Sequence, residues 1–144
     1  MIRKAELNDL SILAELSCKL WPHHTAGEML AEYGVGIENP NAAFFLAYAE
    51  ETPIGFAQCQ LRHDYVEGTD SSPVGYLEGI YVADGYRKQG VARELLSACE
   101  SWVKAKGCTE FASDCELDNT QSLRFHLNVG FEEANRIICF TKKL

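Results

Sequence analysis

GYRKQGVAREL (residues 85–95) sets two glycines and two basic residues at the mouth of a segment with helical periodicity, directly after the apolar run VGYLEGIYV (74–82). A strand, a short glycine-containing turn and then a helix is the local arrangement that makes an anion site. The N–H groups of the first helical turn have no carbonyl partners and point out of the helix end, where the helix dipole adds partial positive charge. Gly90 lets a ligand approach the backbone with no Cβ in the way, and Ala92 is the next smallest choice. Arg87 and Lys88 add full positive charge at the rim. The stretch therefore predicts a cradle for a phosphate or pyrophosphate. It is neither a P-loop, which needs G-x-x-x-x-G-K-[ST], nor a dinucleotide fingerprint, which needs G-x-G-x-x-G.

The helix that follows carries Val91, Ala92, Leu95, Leu96, Cys99, Trp102 and Val103 on one face, and Gly107 closes it. Upstream, Ile2 to Lys4 reads as a short strand. Asn8 or Asp9 then caps a helix with Leu10, Leu13, Leu16 and Leu20 at three- and four-residue spacing, stopped by Trp21-Pro22. Thr25-x-x-Glu28 has the form of a capping box opening a second helix through Met29, Leu30 and Tyr33 to Gly34 or Gly36. AAFFLAYAEETPIGFAQCQL (42–61) predicts a β-hairpin turning at Glu51, Thr52 and Pro53, and residues 62–73 a polar loop. Within the strand 74–82, Gly79 signals a bulge or a close backbone approach. Glu110 to Cys115 predicts a further strand, Thr120 to Asn128 a helix, and Phe131 to Leu144 one or two final strands. The order is βααβββαβαββ, an α/β arrangement of one domain over residues 1–144.

At 144 residues the chain is long enough for one core without staples, and no Pro-, Gly- or Ser-biased tract divides it. Thirteen basic against twenty-one acidic residues give a net charge of -8, which argues against a nucleic-acid backbone and leaves room for a cationic ligand, with plain solubility as the alternative reading. The N-terminus lacks an apolar signal-peptide core and no run reaches the roughly 18 apolar residues of a membrane span, so a cytoplasmic protein is expected. The six cysteines stand singly, with no C-x-x-C pair, and are expected to be buried free thiols. His23 and His24 have no third ligand at metal-binding spacing, so no metal site is expected.

Arg87-x-x-Gly90-x-Ala92 resembles the Q/R-x-x-G-x-G/A motif of the Gcn5-related N-acetyltransferase (GNAT) family, in the family's own position between its fourth strand and third helix. The strand EFASDCEL and then Asn119, Ser122, Phe125 and Val129-Gly130-Phe131 resemble the family's second signature, a strand and an Asn-led helix ending in Gly-Phe. The likeness covers essentially the whole chain. It implies the GNAT fold, a mixed central sheet flanked by helices, and acetyl-CoA as co-substrate. By the same resemblance, backbone groups of Ile80, Tyr81 and Val82 would bond the pantetheine arm. The amides of Arg87, Lys88, Gln89, Gly90, Val91 and Ala92 would take the pyrophosphate, and Asn119 would contact the pantetheine portion. An ordinary helix N-cap is the alternative for Asn119.

An alkylamine with a pKa of about 10 is neutral only about one part in a thousand at pH 7, so a carboxylate or water beside it is useful as a base. Glu78 in YLEGIYV and Asp114 in FASDC sit where strand patterning would prefer Val or Thr. A wet sheet face accommodates them, but so does a site that binds cations. LSCKLWPHHT, Tyr65, YLEGIYV, SDCELDNTQSLRFHLNVGFEE and FTKKL resemble bacterial aminoglycoside 6'-N-acetyltransferases, in which such residues line the acceptor cleft. The resemblance implies that Trp21, Tyr65, Glu78 and Asp114 bind a cationic aminoglycoside, with Glu78 or Asp114 as base, and that the enzyme is a homodimer. Another small amine, a polyamine or a protein amine remains an alternative acceptor, as does a non-catalytic acetyl-CoA-binding module. Two departures stand out. Where many members have a tyrosine near the end of the helix, this chain has Phe125-His126, and His126 is expected to be an exposed helix histidine. Asn135 stands where the subfamily tends to have an acidic residue.

Overall fold

The computed structural model describes all residues from Met1 to Leu144. Strand β1 (Ile2–Lys4) leads through a 3-10 turn (Leu7–Asp9) into α1 (Leu10–Leu20) and α2 (Ala26–Gly36). The antiparallel strands β2 (Ala42–Ala49), β3 (Thr52–Arg62) and β4 (Val74–Val82) follow, then α3 (Val91–Ala105), β5 (Phe111–Ser113) and α4 (Thr120–Asn128). The five strands form one sheet in the order β1-β2-β3-β4-β5, with only the β4–β5 pair parallel.

The central strands are buried on both faces, which is why β2 reads as a continuous apolar run and not as an alternation. Ala43, Phe45 and Ala47 point to one side, where they pack with Ile54, Ala57 and Leu77 under Leu95, Leu96 and Cys99 of α3. Phe44 and Leu46 point to the other, where they meet Phe56 and the apolar stripes of α1 (Leu13, Ala14, Leu16) and α2 (Met29, Tyr33). The sheet is thus sandwiched between α3 and the α1–α2 pair. The same packing holds the C-terminal end of α1 and the N-terminal end of α3 near β4.

Local signals act largely as expected. Trp21 follows the last residue of α1, and the Thr25 hydroxyl accepts the Glu28 N–H at 3.1 Å to cap α2. Glu28 does not close the box with its side chain but pairs with His24 Nδ1 at 3.1 Å. Asp9 takes the N-cap position of α1, but its side chain makes no capping bond there. Its buried carboxylate accepts two hydrogen bonds from Arg3 at 2.7 Å each, plus the Glu6 N–H at 2.8 Å, and so ties β1 to the turn before α1. The hairpin turns at Glu50 and Glu51, with Glu50 at φ 53°, and Thr52 already belongs to β3.

Two expectations fail. Residues 132–144 form no helix or strand and are exposed throughout, including Ile137, Ile138 and Phe140. The apolar pattern of a strand is there, but a strand needs a neighbour to supply its hydrogen bonds, and this segment has none within the chain. Of the cysteines, Cys59, Cys99 and Cys108 are buried, Cys18 is half-buried, and Cys115 and Cys139 are exposed, because the latter two lie beyond the packed ends of β5 and α4.

The hydrogen bonds from Arg3 hold the Asp9 carboxyl below the usual range of aspartate. A group whose acidity is strengthened by folding adds stability above its unfolded pKa of about 3.9 and loses it as pH falls through its folded value. Asp9→Asn should therefore cost about 2 kcal/mol at pH 7 and flatten the loss of stability below pH 4, read from urea midpoints across pH. A variant that keeps the wild-type acid limb would show that Asp9 does not contribute this way.

Candidate active site

The turn between β4 and α3 has the conformation that its residues predict. A short 3-10 turn (Asp84–Tyr86) leads to Lys88 at φ 61° and Gly90 at φ 84°, and α3 begins at Val91. Gly90 is the N-cap without a side-chain cap, and a Cβ added there would meet no atom within 4 Å. Glycine is required by the left-handed backbone, and the space above it is open. The amides of Lys88, Gln89, Gly90, Val91 and Ala92 donate to no group in the chain, so consecutive N–H groups converge on the mouth of a fifteen-residue helix. That is an anion cradle of the kind formed by successive backbone amides. Lys88 is exposed and makes no hydrogen bond. Arg87 is not a free cation at the rim as expected. Its Nε donates to the Val82 carbonyl at 2.8 Å and its Nη1 pairs with Asp84 at 3.0 Å, so it braces the turn against the end of β4.

The cradle opens onto a gap in the sheet. β4 pairs with β5 only at Gly75–Phe111, Tyr76–Ala112 and Leu77–Ser113. Beyond Leu77 the β5-facing side of β4 has no strand partner through Ile80, Tyr81 and Val82, with only the Val82 carbonyl taken there, by Arg87, while the other side stays bonded to β3. At the apex the Ser113 hydroxyl donates its one proton to His126 Nε2 at 2.8 Å and lies 3.2 Å from the Leu77 carbonyl. His126 Nδ1 is 2.7 Å from the Ser122 carbonyl. A carbonyl only accepts, so Nδ1 carries the proton. His126 is thus half-buried with both ring nitrogens engaged, not an exposed helix histidine, and it latches α4 to the end of β5. Asn119 is the N-cap of α4, its Oδ1 accepting the Ser122 N–H at 3.0 Å, which leaves its NH2 as the group it can offer to the gap.

Glu78 owes its position to a break in register. Gln58 faces Gly79 while the next β3 residue, Cys59, faces Leu77, so Glu78 is the extra residue of a bulge. The bulge expected at Gly79 is present and re-aims the neighbouring carboxylate. The close approach is present too: a Cβ on Gly79 would sit 2.5 Å from Cη2 of Trp21. The indole lies on the bulge, edge-on to Phe56 at 6.4 Å between centroids. Trp21, Gln58 and Glu78, with His24, Met29 and Glu32 from the other side, line a cavity of about 190 Å³.

Asp114 stands just past the apex, and one of its oxygens accepts the Tyr76 hydroxyl proton. Burial and the adjacent Asp114 push the Tyr76 phenol well above its usual range, so it remains a donor. Oδ1 of Asp114 is unengaged. Arg62 binds Glu78 through three contacts of 2.9 to 3.1 Å and lies over the Tyr76 ring, 3.4 Å from its centroid. The structure therefore brings Trp21, Glu78 and Asp114 to the middle of β4, where the gap begins. Tyr65 is not among the cavity's lining: its ring is exposed, with only Glu67 within reach at 3.5 Å. Asn135 donates to Glu67 at 3.1 Å, which ties the C-terminal segment to the Tyr65 loop. Cys115 is exposed and has no hydrogen-bonded base. Arg62, Tyr76, Gln58 and Glu32 are absent from the sequence expectations. Tyr76, two residues before Glu78 in the same strand, was the one with a readable signal.

A five-stranded sheet that parts beside a glycine-led helix mouth defines a class of acyltransferase. Residues 7–131 match the acetyltransferase (GNAT) family, and the chain belongs to it. It is 42% identical over 142 residues to an aminoglycoside N(6')-acetyltransferase type 1 of Salmonella typhimurium, covering 99% of this chain and 98% of that one. A Stenotrophomonas maltophilia relative of the same name is 42% identical over 144 residues, covering 99% of this chain and 93% of that one. Among solved structures, AAC(6')-Iy in complex with the bisubstrate analog CoA-S-monomethyl-acetylneamine superposes with a TM-score of 0.95 at 41% identity, covering 100% of this chain and 98% of that one. The apo AAC(6')-IG of Acinetobacter haemolyticus superposes with a TM-score of 0.95 at 39% identity, covering 100% of this chain and 99% of that one.

Because the Gly79 site is filled by the indole, Gly79→Ala must displace Trp21 or distort the bulge. Overpacking of this kind should cost about 2 kcal/mol and alter the tryptophan emission of the native state. An unchanged melting temperature and spectrum would show that the indole does not rest on the bulge.

Proposed function

We propose that this chain transfers the acetyl group of acetyl-CoA to the 6'-amino group of aminoglycosides, by direct attack while both substrates are bound, and so confers resistance. One observation carries this reading: the free amides at the mouth of α3, the unpaired edge of β4 and the acidic cavity beside Glu78 form one run along a single strand. The residues present fit the co-substrate. Open space over Gly90 and five free amides suit a diphosphate, and the unpaired stretch Ile80–Val82 suits an extended amide chain added to the sheet. The cofactor supplies an acyl group already activated as a thioester, so the protein's task is to hold and orient the amine.

The bound amine arrives as an ammonium and must lose a proton before it attacks. Glu78 lines the cavity and contributes its charge to binding the acceptor, with Arg62 already paired to it. Asp114 keeps one oxygen open, with the other held by Tyr76, and takes the proton directly or through water. Unpaired N–H groups of β4 provide donors for the negative charge that develops on the acyl oxygen. Trp21 offers a flat face for a sugar ring or cation, and Tyr65 offers a second from the loop. Net charge of -8 concentrates a polycation near the cleft. No helix is long and apolar enough to cross a membrane, and action in the cytoplasm, where acetyl-CoA is made, is part of the proposal.

The active form in this reading is a homodimer. Ile137, Ile138 and Phe140 are exposed on a segment that pairs with no strand, and β5 is a three-residue edge strand with its outer side unpaired. A second copy would cover both.

Incubation with acetyl-CoA and a 6'-amino aminoglycoside should give a singly acetylated product by mass spectrometry. Asp114→Ala should lower kcat on the order of a hundredfold, while Glu78→Ala should act mainly on KM. Absence of product from every 6'-amino aminoglycoside, with turnover of a polyamine instead, would replace the acceptor. Sedimentation should give a dimer for the full chain and a monomer after removal of residues 136–144; a full-length monomer would refute the assembly.

A further inference from the structure

The acid that the cavity presents already has a cation. Arg62, the last residue of β3, donates Nε and Nη2 to Glu78 Oε1 at 3.1 and 2.9 Å, and Nη2 also to Oε2 at 3.0 Å. A carboxylate offers about four lone-pair positions, so this geometry leaves about one on Oε2. An ammonium entering the cavity meets a carboxylate whose charge is largely matched, and it also meets the repulsion of the guanidinium. The pair is only partly exposed, 37% at Arg62 and 20% at Glu78, so solvent screens it less than a surface pair. Arg62 has a second resting place. Its guanidinium stacks 3.4 Å from the centroid of Tyr76, whose hydroxyl is bonded to Asp114. On leaving Glu78 it would keep that ring face and stay near a second carboxylate.

We propose that Arg62 is a specificity-determining residue: an internal cation that occupies Glu78 in the free protein and that the acceptor's ammonium group must outcompete. This rests on the aminoglycoside reading above. The arrangement sets a threshold on acceptor charge. An aminoglycoside with several ammonium groups gains enough from the acidic cleft to displace or share the pair, whereas a singly charged amine does not. A second consequence concerns the division of labour between the acids. With Arg62 at Glu78, Asp114 is the one of the two acids with a whole oxygen free to accept a proton.

The test compares wild type, Arg62→Gln and Arg62→Lys by calorimetric binding of kanamycin and of a singly charged alkylamine, with steady-state turnover alongside. If Arg62 competes with the acceptor, Arg62→Gln should bind kanamycin on the order of tenfold tighter, bind the simple amine measurably, and lower KM more than it changes kcat. Arg62→Lys should lie near wild type. If Arg62 merely supports Glu78, its removal should weaken binding and raise KM, which would overturn the proposal, as would no change in either. Melting curves identify a loss that comes from misfolding, and in that case Arg62→Lys decides: retained discrimination supports the proposal, and its loss overturns it. Wild-type protein that neither binds nor acetylates any aminoglycoside would end the acceptor reading and this inference together. Normal wild-type turnover with weaker binding in Arg62→Gln would end this inference alone.

Discussion

The parting of β4 from β5 after Leu77 and Ser113 is the constraint on which the rest depends. A sheet that stayed paired would leave no backbone free for a ligand, and the amides at the mouth of α3 would face a closed surface. The parting is imposed from both sides. Arg87 takes the Val82 carbonyl and turns the chain into the helix mouth, while His126 and Ser113 hold the end of β5 to α4 and to Leu77. Unpaired backbone groups normally destabilise a buried strand, and here they persist because solvent or a ligand can reach them. The fold thus supplies hydrogen-bonding capacity at one place and satisfies it nearly everywhere else.

Electrostatics then divides the site in two. At the α3 end, main-chain dipoles and Lys88 favour an anion, and no carboxylate accepts from the free amides. At the other end of the gap, Glu78 and Asp114 favour a cation, each restrained by a neighbour: Arg62 for the first and Tyr76 for the second. Opposite charges of the two substrates are thereby drawn to opposite ends of the gap along β4, with the transfer point between them. The bulge at Glu78 is what makes this compatible with a packed sheet, since it turns a carboxylate into the cavity without breaking the β3 ladder on either side.

Much of this was legible in the chain because it depends on local rules. Gly90 must be glycine at φ 84°, Gly79 marks the bulge and the indole contact, and the apolar run 42–49 announces a strand buried on both faces. Arg62 was not legible, and Tyr76 only by its place two residues before Glu78, because their meeting with Glu78 and Asp114 depends on the register of three strands. Arg87 looked like a free cation because its acceptor, the Val82 carbonyl, becomes available only once the turn is formed. His126 looked exposed because α4 has few apolar residues, and the latch to Ser113 is a tertiary contact between polar groups. The final strands were read from an apolar pattern that is real, but pattern alone cannot provide the neighbour that a strand requires.

In the proposed complex, main-chain donors at the mouth of α3 grip a coenzyme diphosphate while β4 accepts its extended arm. Amide hydrogen exchange with and without CoA tests it most directly, since exchange reports each backbone N–H separately from side-chain effects. Slowed exchange concentrated at Lys88 to Ala92 and at Ile80 and Val82, with little change in α1 and β2, is the expected result. Protection confined to another surface, or no protection at saturating CoA, would contradict it.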